Sequence, residues 1–388
     1  LARYNNSDVI YGYVRYIVEN SDASTKDIKR GDLFTSIDGT PLYFNSADDN
    51  NTSSLFSGND TYTLGMADFS NGTFTLNGKE VTLTKQEGLV EDPILLSKTL
   101  DVGGKKVGYL MYNQFAGNSG EPLNDAFGDF KSAGISDLVL DLRYNPGGFG
   151  YITQILGSLI HQPDSTKVFY NRRYNATLEE AWDYVGGQKT YFVADTGTQD
   201  GNSQTPLNSL DLKKIYVIAT GSSASASELL INGLRPYVEV VHIGSTTVGK
   251  NQGSFTLVDS PATGYGYDPD REDEINPNNR WAIQPITSQT ENSEGFGDYA
   301  DGLPPTIPFD EDFAELGELG NPSERMLARA LQEIDAASSK KDLSTKFPVD
   351  LISSSSLEKA DGGRLIFRDM PSINITSKLS EKFNTNIK

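Results

Sequence analysis

The chain has 388 residues, a net charge of −20 and no cysteine. Because this length exceeds one ordinary hydrophobic core, we expect at least two domains. The absence of cysteine excludes disulfides, thiolate metal ligands and cysteine nucleophiles. The negative charge argues against a nucleic-acid-binding protein. No apolar run approaches the roughly 20 residues that span a membrane.

Residues 1–95 predict a small, mostly β domain with a short N-terminal lead-in. A turn at residues 29–32, Lys-Arg-Gly-Asp, precedes an alternating apolar run that ends at Asp38-Gly39. Further along, Asn77-Gly78 separates two alternating runs and predicts a hairpin. The pattern resembles the second half of a PDZ domain of the kind inserted in processing proteases.

That resemblance implies a domain that captures a peptide C-terminus by adding it to a sheet edge as a strand. The only candidate in this sequence for the loop that holds the terminal carboxylate is Tyr11-Gly12-Tyr13. The alternative is a degenerate PDZ-like domain that gates a neighbouring site without binding the peptide itself.

Residues 96–336 predict an α/β core, because strand-like apolar runs alternate with segments of helical spacing. Two strands of this core run into turns of small residues, Gly147-Gly148 after the first and residues 221–227 after the second. Ligands of open α/β sheets bind at the carboxyl ends of the strands, so both turns are candidate site segments. An aromatic and polar excursion at about residues 165–212 predicts a cap over that site.

Ser225 and Lys250 are the candidate catalytic residues. A hydroxyl at a helix N-terminus faces unpaired backbone N–H groups and the positive end of the helix dipole, which stabilise negative charge on an attacked carbonyl. A serine needs a base, and lysine serves if it is neutral. We expect Lys250 to lie among apolar neighbours such as Val248 and Ile243, because desolvation disfavours the ammonium form.

Three motifs together resemble the tail-specific, or C-terminal processing, serine peptidases: Ser-Ala-Ser-Glu at residues 225–228, Lys250, and Asp-Leu-Arg-Tyr-Asn-Pro-Gly-Gly at residues 141–148. The resemblance implies Ser225 as the nucleophile and Lys250 as the base. It implies an oxyanion hole from the backbone N–H groups of Gly147 or Gly148 and of Ala226, and a core similar to the crotonase and ClpP fold. It implies neither a metal nor an organic cofactor.

The chain departs from this family pattern at two positions. Pro236 stands where some members carry an aspartate, and Ser254 stands where others carry a glutamine. The residue that orients Lys250 is therefore unassigned. Gln252 is a nearby substitute, but in an extended segment side chains alternate between faces, so its side chain can face away from Lys250.

Other polar residues have simpler interpretations. Glu228 is expected to complement the helix dipole, and Asp141 and Arg143 to organise their turn by hydrogen bonding. His242 is expected within a strand and His161 at a helix end.

We therefore expect a serine endopeptidase that cleaves extended or C-terminal polypeptide segments through a Ser-Lys dyad and an acyl-enzyme. One alternative is a weakly active or inactive family member that binds peptides, and another is an acyl-CoA enzyme on a crotonase-like core. We expect a bacterial periplasmic or envelope-exposed protein. A lipid anchor on a segment before Leu1 is compatible with that location. Residues 337–388 predict a serine- and lysine-rich C-terminal extension.

Overall fold

The computed structural model describes residues 1–354, apart from residues 6–7, 47–48, 53–58, 183–187, 198–203, 255, 280 and 336–342. Most of the predicted C-terminal extension lies outside the described residues. The described strands are β1 (Ala2–Arg3), β2 (Ile10–Tyr13), β3 (Leu33–Ile37), β4 (Thr40–Pro41), β5 (Phe44–Ser46), β6 (Asp49–Asn50), β7 (Thr61–Ser70), β8 (Thr73–Thr84), β9 (Ile94–Val102), β10 (Lys105–Tyr112), β11 (Asp137–Asp141), β12 (Val168–Tyr174), β13 (Gln188–Tyr191), β14 (Lys214–Ala219), β15 (Glu239–Gly244), β16 (Gln252–Ser254), β17 (Leu257–Val258), β18 (Ala282–Ile283), β19 (Ile286–Asn292), β20 (Ile307–Pro308) and β21 (Asp350–Leu351).

The described α-helices are α1 (Gly120–Ala133), α2 (Gly150–Ile160), α3 (Ala176–Trp182), α4 (Ala226–Leu234) and α5 (Arg325–Ile334). Short 3₁₀ helices cover Asp22–Thr25, Pro261–Thr263 and Pro269–Glu274. The mixture of helices with parallel and antiparallel strands confirms the predicted α/β class.

The N-terminal sheet has the strand order β21-β1-β2-β3-β7-β8, with β4 beside β3. The predicted hairpin at Asn77-Gly78 is wrong, because these residues lie inside β8, where the pairing with β7 shifts register. The chain reverses instead at Asn71-Gly72, between β7 and β8, where φ is +51° and +78°. Positive φ at both central residues is the geometry that tight hairpin turns require.

The candidate for the carboxylate-binding loop, residues 11–13, forms part of a strand in this structure. Tyr11, Gly12 and Tyr13 belong to β2, which pairs with β1 on one side and β3 on the other. A Cβ atom on Gly12 would lie 1.9 Å from the ring of Phe34, so this glycine makes room for a core side chain. Ile10 and Tyr11 pair with β1, and Gly12 and Tyr13 pair with β3, so these residues are part of the sheet.

The core sheet has the order β20-β15-β14-β11-β10-β9. Its strands are parallel except for β9, which runs antiparallel to β10. Side chains alternate across the sheet: Leu138 and Leu140 pack with the helices α1, α2 and α4, whereas Val139 packs with α5 on the opposite face. Helices on both faces bury these strands, as a mainly parallel sheet requires.

A four-stranded sheet of order β13-β12-β19-β16 forms a second layer, which we call the cap sheet. The excursion predicted at about residues 165–212 supplies β12, β13 and α3. Its other two strands, β16 and β19, come from the chain after Lys250. The segment that carries Lys250 therefore joins the core sheet to the cap sheet.

Candidate active site

Ser225 lies where the core strand β14 turns into helix α4. It is the residue before the first helical residue, and its φ of 54° and ψ of −111° lie outside the favoured regions for a non-glycine residue. Such a conformation costs about 1–3 kcal/mol and persists only where the surroundings hold it. The Ser225 side chain is buried, and its Oγ makes no hydrogen bond to a described residue.

The neighbouring serines hold this turn in place. Ser223 Oγ donates to the backbone oxygen of Leu142 at 2.7 Å, and Ser227 Oγ donates to that of Asn145 at 3.0 Å. The hydroxyls of Ser223 and Ser227 thus fasten the turn to the segment after β11. Ser225 is the serine of this group whose hydroxyl is left for chemistry.

The glycine pair lies directly against this turn. Gly147 has a φ of +105°, and a Cβ atom there would lie 2.8 Å from both the Ala224 carbonyl oxygen and Ser225 Cβ. The N–H of Gly147 donates to Asn145 Oδ1 at 2.9 Å, so it is already occupied. Among the described residues no acceptor is seen for the N–H groups of Gly148 and Ala226, and these two remain the candidates for an oxyanion hole.

Glu228 connects the serine turn to the lysine segment. Its Oε2 accepts the backbone N–H groups of Ser225 and Lys250, both at 2.8 Å. Its Oε1 accepts the hydroxyl of Thr247 and the backbone N–H of Gly249. Glu228 was expected only to complement the helix dipole. In the structure its buried carboxylate also holds both candidate catalytic segments in place.

Ser225 and Lys250, the two candidate catalytic residues, line one pocket. Its volume is about 250 Å³ with the solvent at its mouth included, and its lining residues are Arg172, Ser225, Leu229, Lys250, Asn251, Gln252, Gly253 and Thr290. Ser225 Oγ makes no hydrogen bond to Lys250 in this conformation. Val248, expected as an apolar neighbour of Lys250, is instead 43% exposed.

The alternation of the cap sheet separates Gln252 from its neighbours. Opposite residues on paired strands share a face, so Asn251, Thr290 and Arg172 lie in one row on the buried face. Gln252 lies opposite Gln289 on the other face and is exposed. This arrangement does not favour the predicted role of Gln252 as the residue that orients Lys250.

Behind the glycine turn lies a buried network of charges. Arg143 is fully buried and donates to the carboxylates of Asp141 at 2.7 Å and of Glu324 at 2.8 Å. A third carboxylate, Glu311, lies 3.3 Å from the same guanidinium. Asp141 and Arg143 thus organise their turn as predicted, but Glu311 and Glu324 carry no sequence motif that would have indicated them.

Residues near the N-terminal sheet also contact the site. Arg30 donates to the Tyr144 hydroxyl at 2.8 Å and to Glu311 at 3.1 Å. The guanidinium of Arg15 stacks 4.4 Å from the centre of the Tyr144 ring and donates to Ser222 Oγ at 2.8 Å. Two arginines from the first domain therefore touch both turns that form the candidate site.

Residues 106–287 match peptidase family S41. Over these residues, just under half of the chain, the sequence is similar to that peptidase family. The matched residues include the serine turn, the lysine segment and the glycine pair, so the family predicted from the sequence is confirmed.

Relatives in two bacteria support the family. A CtpA-like serine protease of Staphylococcus aureus strain N315 is 29% identical over 181 residues, which cover 44% of this chain and 32% of that protein. A carboxyl-terminal-processing protease of a Synechocystis strain is 28% identical over 184 residues, which cover 47% of this chain and 37% of that protein. The chain thus spans about a third of the length of the curated relatives it matches.

The structural similarity to a known protein covers more of this chain than the sequence similarities do. The crystal structure of a Bacteroides fragilis protein assigned to the S41 proteases superposes with a TM-score of 0.64, at 25% identity, over 87% of this chain and 82% of that chain. Across the described part of the chain no helix is both long and apolar enough to cross a membrane.

Proposed function

We propose that the protein is a serine endopeptidase in which Ser225 attacks a peptide carbonyl and Lys250 takes the hydroxyl proton. The observation that carries this proposal is the shared pocket of Ser225 and Lys250, with the Gly147-Gly148 turn packed against the serine. The N–H groups of Gly148 and Ala226 would stabilise the negative oxygen of the tetrahedral intermediate.

The reaction would then proceed in two halves. Lys250 would return the proton to the leaving amine, and the acyl chain would remain on Ser225 as an ester. Water would attack that ester with Lys250 again accepting a proton, which releases the acid product and restores the serine. Arg172 lines the same pocket as Ser225 and Lys250.

A second candidate function is peptide binding without efficient cleavage. The observation that favours it is the Ser225 hydroxyl, which makes no hydrogen bond to Lys250 in this conformation. Catalytic hydrogen bonds of proteases are often long before the substrate binds and shorten in the complex. The two candidates therefore differ in whether the dyad closes when a polypeptide enters the pocket.

A fluorophosphonate probe and an unfolded polypeptide together test the proposal. The wild-type protein should be labelled at Ser225 and should cleave the polypeptide, and the S225A and K250A variants should do neither. Circular dichroism checks that both variants fold. Binding of the polypeptide by a wild-type protein that is neither labelled nor active would establish the second candidate instead.

The substrate and the location follow from the same proposal. We expect extended or C-terminal polypeptide segments as substrates, in a bacterial periplasm or at the cell envelope. Detection of the protein in the periplasmic or surface fraction of its host cells would support that location, and its recovery in the cytosol would contradict it.

A further inference from the structure

An arm of the chain leaves the cap sheet beside the candidate site. Strand β16 ends at Ser254 and β19 begins at Ile286, and these two residues lie opposite each other in the ladder. The chain between them, which we call the arm (residues 256–285), forms the two-stranded ribbon of β17 and β18 and two short 3₁₀ helices. Because Gly253 lines the pocket of Ser225, the arm starts directly next to that pocket.

One face of the arm is apolar and open to solvent. Trp281 is 85% exposed and Ile283 is 63% exposed. Because they are two residues apart in an extended segment, their side chains lie on the same side. Leu257, which pairs with Ile283 and is partly buried, adds its side chain to that face. Exposed apolar side chains that lie together, unlike scattered ones, mark a surface that binds a partner.

The charge of the arm restricts which partner fits this face. Residues 268–274 contain five carboxyl groups and one arginine, and Glu272, Asp273 and Glu274 are exposed. The whole chain has a net charge of −20. The arm therefore repels a second copy of this protein and an anionic membrane surface. A segment that combines apolar and basic side chains complements both the apolar face and the carboxylates.

We propose that the arm is a second binding site for the substrate polypeptide, separate from the pocket, and that it holds unfolded segments with apolar and basic side chains. This inference rests on the proposed peptidase function, because Ser225 would act on another part of the same polypeptide. Two sites on one chain raise the affinity, since the second contact is intramolecular. Long unfolded polypeptides are therefore favoured over short peptides, which reach only one of the two sites.

Trp281 itself reports on this binding. In a W182F/S225A variant it is the one tryptophan of the chain, and a bound peptide is not cleaved. The probes are two unfolded peptides of about 20 residues of leucine, serine and glycine, one with lysines and the other with glutamates at the same positions. The lysine peptide should shift the Trp281 emission to shorter wavelength and protect it from acrylamide quenching. The glutamate peptide should bind at least about 3-fold more weakly.

Two matched substitutions test whether the apolar face carries the binding. I283S removes an exposed apolar side chain from the arm, and L76S removes one of similar exposure, 62%, from strand β8 of the N-terminal sheet. I283S should raise the Kd for the lysine peptide about 5- to 10-fold, whereas L76S should change it less than about 2-fold. Both side chains are exposed, so circular dichroism should show both variants folded. Equal Kd values for the two variants would contradict the inference.

Three further results would overturn the inference while the fluorophosphonate labelling of Ser225 in the wild-type protein keeps the peptidase function intact. One is the absence of any emission shift with the lysine peptide. Another is a shift that follows protein concentration without peptide, which would assign the arm to contacts between copies. The third is a Trp281 that becomes accessible to acrylamide only after removal of residues 355–388, which would assign the arm to the chain's own C-terminal extension.

The failure of the proposed function gives a different result. A wild-type protein that is neither labelled by the fluorophosphonate nor able to cleave an unfolded polypeptide would overturn the peptidase function. It would also overturn the role of the arm as a second substrate site, whatever the Trp281 emission shows.

Discussion

Glu228 is the residue on which both halves of the candidate dyad depend. Its two oxygens accept four hydrogen bonds, two of them from the backbones of Ser225 and Lys250. A carboxylate is suited to this position because it accepts on both oxygens and donates on neither. The strained backbone at Ser225 and the position of the lysine segment are thus held by a single side chain.

We predict that E228Q lowers kcat/KM at least about 100-fold, because its NH₂ group would face N–H or O–H donors and about two hydrogen bonds would be lost. The measurement is the cleavage rate of an unfolded polypeptide, with circular dichroism as the check on folding. E239Q is the matched control, since the Glu239 carboxylate is exposed and pairs only with Lys214 among the described cations. Equal loss in both variants would contradict the role of Glu228.

Gly147 allows a second prediction at the scale of one residue. G147A should abolish detectable cleavage, because the new Cβ would collide with the Ala224 carbonyl and with Ser225. G78A is the control: Gly78 also has a positive φ, +78°, but nothing lies within 4 Å of its Cβ position. G78A should therefore cost only about 1–2 kcal/mol in the free energy of unfolding and should keep its activity in the same assay.

At the scale of elements, the turn after β11 is held by carboxylates that come from distant segments. Glu311 and Glu324 lie 168 and 181 residues from Arg143 in the sequence. Burial opposes ionisation of the Glu311 carboxyl, but the guanidinium groups of Arg30 and Arg143 outweigh it and hold its pKa at about 2. The loop that presents the glycine pair therefore depends on Glu311 being ionised.

This depressed pKa predicts a loss of stability in acid. A carboxyl whose pKa is lower in the folded state stabilises the fold above its ordinary value of 4.5, and this contribution is lost as the pH falls towards about 2. The wild-type free energy of unfolding should therefore decline over that range. E311Q should be about 3–5 kcal/mol less stable at pH 7, with a smaller decline in acid. Urea unfolding at several pH values measures both effects, and parallel pH profiles for the two proteins would refute the prediction.

The elements also show what the sequence could predict and what it could not. The strand, turn and helix around Ser225 are predictable because apolar runs and small residues are local signals. The sequence cannot distinguish a hairpin at Asn77-Gly78 from one at Asn71-Gly72, because both pairs have the same turn chemistry and only the pairing with β7 separates them. The role of Glu311 cannot be predicted from its neighbours in the sequence, since it depends on a contact with Arg143, 168 residues away.

At the scale of the whole molecule, residues 343–354 return from the core to the N-terminal sheet. Strand β21 pairs with β1, and Arg325 of the core helix α5 donates to the backbone oxygens of Leu343 and Ser344. The ring of Phe347 packs at 4.8 Å from Phe69 in the aromatic cluster of the first domain. This segment thus contacts both the core helix α5 and the N-terminal sheet.

We predict that F347A lowers the free energy of unfolding of the N-terminal sheet by about 1–2 kcal/mol, because Phe347 is partly buried and a fully buried apolar side chain contributes about 1.5–3 kcal/mol. Because the core sheet has its own apolar clusters, its unfolding should change less. Hydrogen exchange followed by mass spectrometry resolves the two sheets. K346A is the control, since Lys346 is exposed, and a similar effect of both substitutions would argue against packing as the cause.

The contacts of Arg15 and Arg30 with the core limit how domains can be exchanged between relatives. Tyr144 lies between these two arginines of the first domain, while Glu311 and Ser222 of the core accept their hydrogen bonds. A chimera that received a foreign N-terminal domain would leave Glu311 with fewer cationic partners in a buried site. A replacement for the N-terminal sheet therefore has to supply cations at the positions of Arg15 and Arg30 to keep these contacts.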